Sequence, residues 1–580
     1  MRASSASKGV GARRLQLSLL APALVALALA PAPGASPVGL RAAGTAATPP
    51  RSETLYTSGT SAFPPTSFNP LDPNSYTGTA GLLYETLFLY DPMRAKLVPW
   101  LASSGSWSGP TTFRLQIRRG VDWVSSRTGA VTGTLSGADA AFSVRLAMSD
   151  KADPWHEDVA SVQSVSAAGS TVTVRFKAPV GYPQWARFLW HAPVLPAAIW
   201  SALPSGQATV APNLSPVASG PMLLYSTSPR GACYRDNPHW WAKDALGLSF
   251  RFTYLCDLVS ASSGKSLAEL LDGRVDWSNQ LLRGIANLAA SKGAGYGIKT
   301  YYATPPYMIP AATAWLQMDL ARAPMDDLDF RLAVAYALDP KAVAAGAYTG
   351  TVEVANPTGL LPELSSWVDT RAVKKLGFHH SPSLAKKYLA KSGYKGEKLA
   401  FLVPAGKPEL AGAAAMMSSQ LAKVGIHVSV EAVPAPALSG DVASGHYDMV
   451  INPEVGISLT PWEYFDTVYR LPISSAVSAG QNTERFSAPK DSALVEQAAA
   501  TPLEDRAALG KLYDELQVDF LEQLPEIPLW YTGAWFQANT RFWKGYPSST
   551  SRNDQYTPVM WNGWLGSMTT VLALARLRRA

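Results

Sequence analysis

Apolar and polar positions alternate with period two in Thr112–Arg118, where Phe113, Leu115 and Ile117 oppose Arg114, Gln116 and Arg118. Thr171–Lys177 repeats the pattern with Val172, Val174 and Phe176. Both read as strands with one wet face, and Ser136-Gly-Ala-Asp139 opens a helix between them. Upstream, Asn69-Pro70-Leu71-Asp72-Pro73 is a turn pinned by proline, and Gly81–Asp91 reads as an apolar helix followed by a short link, Leu97–Ala102. Gly231–Asp236 and Leu248–Asp257 read as strands.

The pattern turns α/β from about Gln317. Asp326-Asp327 cap a helix through Phe330-Arg331 to Asp339, stopped by Pro340. Ser383–Ser392 forms a helix closed by Gly393. Strand Lys398–Val403, helix Ala411–Val424 and strand Ile426–Glu431 make a β-α-β unit, and His446–Ile451 supplies the next strand.

At 580 residues the chain exceeds what one core supports, so two or more lobes are expected. The net charge of +7 suggests nucleic acid until it is located. Five basic residues in 1–50 and three in the last ten, with no acid in either segment, exceed it by one. The body is nearly neutral, with no basic footprint for nucleic acid. Arg2–Arg14 followed by the apolar Leu17–Ala30 reads as a signal peptide, so export to the periplasm or the outer face of the cytoplasmic membrane is expected. Segment 42–52 reads as a disordered leader. The only cysteines are Cys233 and Cys256, which excludes a lipid anchor just after the apolar run. On neighbouring strands in an oxidising compartment they are candidates for a disulfide, two buried thiols being the alternative. The uncharged tail Thr557–Ala575 is too polar to span a bilayer, so a docked tail or terminal strand is expected.

Four blocks in order carry a resemblance: the 69–73 turn, Gly81-Leu-Leu-Tyr84-Glu85-Thr-Leu-Phe88-Leu-Tyr90-Asp91, Leu97-Val-Pro99-Trp100-Leu-Ala102, and the strand ending Gly120-Val-Asp-Trp123. They resemble the opening of family 5 extracytoplasmic solute-binding proteins, the dipeptide, oligopeptide and nickel receptors of ABC importers. Pro216-Val-Ala-Ser-Gly220-Pro221 and Asn237-Pro238-His239-Trp240-Trp241 match later blocks, with Ser219 where the family has Thr. The resemblance covers about residues 55–545. It departs after Trp123, where Ser125–Leu135 replaces a shorter turn with what reads as a surface hairpin.

The resemblance implies an α/β, two-lobe periplasmic-binding-protein-like fold with a hinged cleft. A signal peptide and leader (1–50) precede lobe I (52–316), which carries an inserted subdomain of about 81–184. Lobe II (317–521) follows, and 522–580 returns to lobe I and ends in the tail. The implied role is capture of a peptide-class solute, without catalysis or cofactor, by a monomer that delivers it to a membrane permease and ATPase. Oligosaccharide is the alternative ligand. In oligopeptide-type members an Asp after a lobe II strand pairs with the ligand amino group; Ile457 stands there, with Glu454 three residues earlier. Pro461-Trp462-Glu463-Tyr464-Phe465 is instead similar to oligosaccharide-binding members, whose rings stack on sugars. The candidate ligand residues are Glu454, Trp462, Trp530, Tyr531 and Trp535.

Other chemistries fit poorly. Ser262-Ser-Gly264-Lys265-Ser266 is half a P-loop, with Val259 where the first glycine belongs, and reads as a helix-capping turn. His379-His380 has no partner at metal-ligand spacing, and no metal site is expected. No Gly-x-Ser-x-Gly elbow occurs. A secreted hydrolase and a structural surface protein remain as rivals of other classes.

Overall fold

Two β-sheets organise the chain. The first runs Met222–Ser228, Gly231–Asp236, Tyr254–Leu258, Thr54–Ser58, Trp277–Ser278, Gln537–Asn539 and Ile298–Thr300. The second runs Val428–Val433, Leu399–Pro404, Met449–Gly456, Ile309–Met318 and Ile527–Ala534. The computed structural model describes residues 48–550, 558 and 569–580, apart from 60–62, 182, 184, 260–261, 283, 291–296, 472 and 474–481. The expected signal peptide, most of the leader and most of 557–568 lie outside the described residues.

One antiparallel ribbon joins the sheets. Ile298–Thr300 pairs with Gln537–Asn539 in the first sheet, and Ile309–Met318 pairs with Ile527–Ala534 in the second. The chain therefore passes between the two sheets at 301–308 and at Trp535-Phe536, where Phe536 N–H meets Met308 Sδ at 3.1 Å. A four-stranded sheet of Ala102–Trp107, Thr112–Ile117, Thr171–Phe176 and Val162–Ala168 forms the subdomain. Its central strand Thr112–Ile117 buries Phe113, Leu115 and Ile117 and exposes Arg114. The helix that follows, Gly137–Ser149, starts with a capping box in which Ser136 accepts from Ala138 N–H and Asp139 accepts from Ser136 N–H at 2.8 Å.

The first lobe is tied together at one carboxylate. Glu85 accepts the indole N–H of Trp100 at 2.9 Å, of Trp240 at 3.1 Å and of Trp241 at 3.1 Å, and the Ser219 hydroxyl at 3.0 Å. Sequence blocks more than a hundred residues apart thus meet on one group. Asn237 Nδ2–H closes the same corner on Gly220 C=O at 2.8 Å. A Cβ on Gly220 would lie 2.3 Å from Leu82 O, so only glycine fits there.

Gly81–Asp91 is not the apolar helix its composition suggested. Gly81 sits at φ +94° within a wide turn, Thr79–Leu83, and Phe88–Asp91 is a strand paired with Lys96–Pro99. Both faces of that strand are buried, which erases the alternation that would have marked it. Ser125–Leu135 includes one strand of a hairpin, Asp122–Ser125 with Val131–Thr134.

In lobe II, Asp327 caps Leu328–Ala337. Arg331 in that helix donates to four carbonyls, those of Leu524, Met325, Asp326 and Gln523. Pro340 starts a helix instead of stopping one: it is the first residue of Pro340–Tyr348, capped by Asp339, which accepts from Ala342 N–H at 3.0 Å. The Ser383–Ser392 helix also differs, running Pro382–Leu389, and Gly393 N–H bonds Asp327 Oδ2 at 2.8 Å instead of closing it. Ser262 caps Ser263–Leu271, the role expected of the half P-loop.

Cys233 and Cys256 face each other across neighbouring strands and are bridged. The C-terminal Arg578–Arg579 pairs with Trp543–Lys544. Among the described residues no helix is long and apolar enough to cross a membrane.

Candidate functional site

The site grows from what the crossing ribbon and its neighbours bring between the lobes. Tyr90, from the subdomain side, donates its hydroxyl to Ser458 C=O of lobe II at 3.0 Å, a buried bond linking residues 368 apart. Rings continue from Tyr90 into the subdomain. Its centroid lies 4.8 Å from Trp190, Trp190 lies 3.7 Å from His191, and His191 lies 5.4 Å from Trp155. The indole N–H groups of Trp155 and Trp190 are buried with no hydrogen-bond partner among the described residues, as is Asp91 Oδ1. Gly181 N–H meets Ala499 C=O at 3.1 Å, pressing the subdomain on the helix Pro489–Ala500.

Strand Ile527–Ala534 supplies two of the predicted residues to opposite faces. Trp530 is fully buried in the lobe II core, 5.4 Å from Tyr348. Tyr531 points the other way. Its oxygen accepts from Asn356 N–H and Nδ2–H, both at 3.0 Å, and its hydroxyl donates to Leu360 C=O at 2.9 Å. That clamp positions the segment leading to Glu363. Gly359, at φ +73°, lies under the Trp315 ring, whose nearest atom would be 1.8 Å from an added Cβ.

Trp462 opens the helix Trp462–Tyr469 and donates its indole N–H to Val495 C=O at 3.2 Å. Trp535 stacks at 6.4 Å on Tyr348, alongside Trp530. Glu454 pairs by its backbone with Thr313. Trp462 and Tyr531 thus share the continuous core that spans the lobes, whereas Trp530 and Trp535 gather around Tyr348. Ile457 is buried, as an apolar side chain in the expected Asp position should be.

The structure adds carboxyl groups that the pattern along the chain did not single out. Glu363, on the 3-10 segment Pro362–Trp367, has a buried Oε1 without a hydrogen-bond partner among the described residues. Burial pushes its carboxyl up to about 8. Its charge, with those of Glu463 and Asp91, adds to burial in holding the Tyr90 phenol protonated well above its usual range. Burial, Glu363 and Tyr531 do the same for Tyr464. Leu361-Pro362-Glu363-Leu364 reads locally as a solvated helix start, so only the folded chain shows the buried Oε1. Tyr90 and Asp91 were visible inside the opening block.

No group of three His, Cys, Asp or Glu side chains able to hold a metal ion occurs among the described residues. What this arrangement offers is buried polar atoms beside aromatic rings where Tyr90 meets Ser458.

The profile of the bacterial extracellular solute-binding proteins, family 5, matches residues 96–474. The chain belongs to this family. A periplasmic oligopeptide-binding protein of an oligopeptide ABC transporter from Thermotoga maritima is 30% identical, with a TM-score of 0.85 over 91% of this chain and 100% of that one. A second structure of that Thermotoga protein, bound to mannohexaose, superposes with a TM-score of 0.82 at 30% identity, over 92% of this chain and 99% of that one. The probable ABC transporter periplasmic-binding protein SapA of Escherichia coli is 24% identical over 488 residues, 78% of this chain and 82% of that protein. As a family 5 solute-binding protein, the chain has the two-lobe fold of these relatives.

Proposed function

We propose that this chain is the extracytoplasmic substrate-binding component of an ABC importer. It captures a peptide-class solute between its lobes and delivers it to a membrane permease and ATPase. The observation that carries the reading is the inter-lobe junction, where Tyr90 reaches Ser458 beside polar atoms buried without a partner among the described residues. Leaving such atoms unpaired costs about 1–3 kcal/mol each, and a polar ligand would recover it. Ligand that touches both lobes favours the closed state by its differential affinity.

Lobe I is proposed at 52–316, lobe II at 317–521 and the return from 522, a reading that the ribbon between the two sheets supports with its two crossings. Glu454, Trp462, Trp530, Tyr531 and Trp535 are the first residues to substitute, Trp530 acting from the core behind the site. An oligosaccharide is the second reading, supported by the mannohexaose complex of the Thermotoga relative and by the rings from Tyr90 to Trp155.

A thermal-shift panel of peptides and oligosaccharides tests the proposal. Ligand at a hundred times Kd stabilises the folded state by about 2.7 kcal/mol. Trp462→Ala and Tyr531→Ala should weaken the responding ligand by tenfold or more. No shift with either class would overturn the receptor reading, and turnover of a bound peptide or sugar would favour a hydrolase.

A further inference from the structure

A cavity of about 660 Å³ shares no lining residue with the junction of Tyr90 and Ser458. Its walls come from the edge strand Ile298–Thr300, from Tyr301 and Ala303 at the start of the crossing, and from the return segment 540–550. Nothing between residues 304 and 539 lines it, so it is complete without any residue of lobe II. Two glycines shape the walls. A Cβ on Gly297, at φ +67°, would meet Thr540 Oγ1 at 2.4 Å, and one on Gly545, at φ +86°, would meet the Arg576 carbonyl oxygen at 2.6 Å. Both walls are held where only bare backbone fits.

The lining carries charge of one sign. Lys299 comes from the edge strand and Lys544 from the ribbon Trp543–Lys544, and neither ammonium group has an ion-pair or hydrogen-bond partner among the described residues. Exposed Arg578 stands opposite Lys544 in the ribbon, which adds a third cation on the same face. No carboxylate is among the lining residues. Asp276 and Asp272, which adjoin the return segment through Asn539 and Arg541, are taken by Arg51 and Arg274.

Hydroxyls complete the lining. Thr300 donates to Tyr302 C=O at 2.7 Å and Tyr546 to Asn539 C=O at 3.2 Å, so these two offer only lone pairs. Thr540 keeps its proton, and Ser548 and Thr550 share one bond at 3.3 Å, which leaves a second proton between them. Two ammonium groups and two hydroxyl protons around a space without an acid select an anion with several oxygens. A carboxylate presents two oxygens and one charge; a terminal phosphate presents three, and its second charge answers the second lysine. The volume falls in the roughly 300–1,000 Å³ range of small-molecule sites, which leaves room for a carrier beside the phosphate. We propose that this cavity is a second binding site, for a phosphate group, free or carried on glycerol. The proposal goes beyond the receptor reading and does not depend on it.

The experiment is calorimetric titration of the full chain with inorganic phosphate and with sn-glycerol 3-phosphate at about pH 8, where both are mostly dianions. Wild type should bind at least one of them one-to-one. Lys299→Gln and Lys544→Gln should each weaken it about tenfold, and the double variant about a hundredfold. All these side chains are exposed, so the urea midpoint should not move. Two controls should stay within about twofold of wild type: Lys374→Gln with Lys375→Gln, an exposed pair on Thr370–Leu376, and Tyr531→Ala. Co-sedimentation with phosphatidylglycerol vesicles but not phosphatidylcholine vesicles, lost in the double variant, assigns a lipid headgroup as the source. Binding of the soluble anions without sedimentation assigns a free phosphate or its soluble ester. No heat with either anion up to about 10 mM, ten times a millimolar Kd, would overturn the proposal. So would a double variant that binds as wild type does, an equal loss in the Lys374 and Lys375 control, or binding lost in Tyr531→Ala, which would place the anion in the cleft. None of these results alters the outcome of the peptide and oligosaccharide panel, so the two readings fail separately.

Discussion

The Glu85 junction makes the first lobe sensitive to pH in a direction opposite to that of an ordinary salt-bridged acid. Burial pushes its carboxyl from 4.5 to about 7, against the lowering effect of its bonds to Trp240, Trp241, Ser219 and Trp100. A carboxyl whose folded-state pKa lies above its unfolded value holds its proton longer in the folded state. Its contribution is therefore fullest below about 4.5 and is lost as pH rises through about 7. At 1.36 kcal/mol per unit the span is about 3 kcal/mol. Glu85→Gln keeps the shape and one acceptor oxygen but does not titrate. Unfolding of wild type and variant in urea at pH 4.5, 6, 7 and 8, followed by tryptophan fluorescence, isolates the difference. Wild type should hold its largest advantage at pH 4.5 and lose about 3 kcal/mol of it by pH 8. Parallel stability profiles for the two proteins would refute the reasoning. Glu85→Ala, which strands three indole donors, should cost on the order of 5 kcal/mol at any pH.

Three further outcomes follow from single contacts. Gly359→Ala drives a methyl into the Trp315 ring at a positive φ and should lower stability by about 2–3 kcal/mol, measured by urea unfolding. Reduction, or Cys233→Ser with Cys256→Ser, opens a cross-link of sequence separation 23 and should cost about 3 kcal/mol, read as a lower midpoint in denaturant. Tyr90→Phe removes the bond to Ser458, worth about 1 kcal/mol, and should weaken ligand about fivefold in calorimetry while leaving the urea midpoint of the first lobe unchanged.

Much of the scaffold was legible because its rules are local. The half-buried strands Thr112–Ile117 and Thr171–Phe176 kept their alternation, and Ser136, Asp327 and Ser262 announced helix starts by their side chains. Phe88–Asp91 was misread because burial on both faces removes the period-two signal. Pro340 was misread because a proline that ends one helix and one that begins the next look alike until Asp339 is seen capping. The site was harder still. Tyr531 is clamped by Asn356 and Leu360, more than 170 residues away in sequence, and nothing next to Glu363 in sequence marks its Oε1 as buried. Trp530 shows the complementary case: one residue from Tyr531, it turns into the lobe II core. No pattern within a window of a few residues separates those two rings.

Native mass spectrometry of the protein, purified without added solute, decides whether it carries a solute. A one-to-one complex is expected, its added mass that of a peptide or an oligosaccharide, lost on denaturation and bound more weakly by Tyr531→Ala. The bare chain mass alone, from a folded protein that also gives no thermal shift with either ligand class, would contradict it.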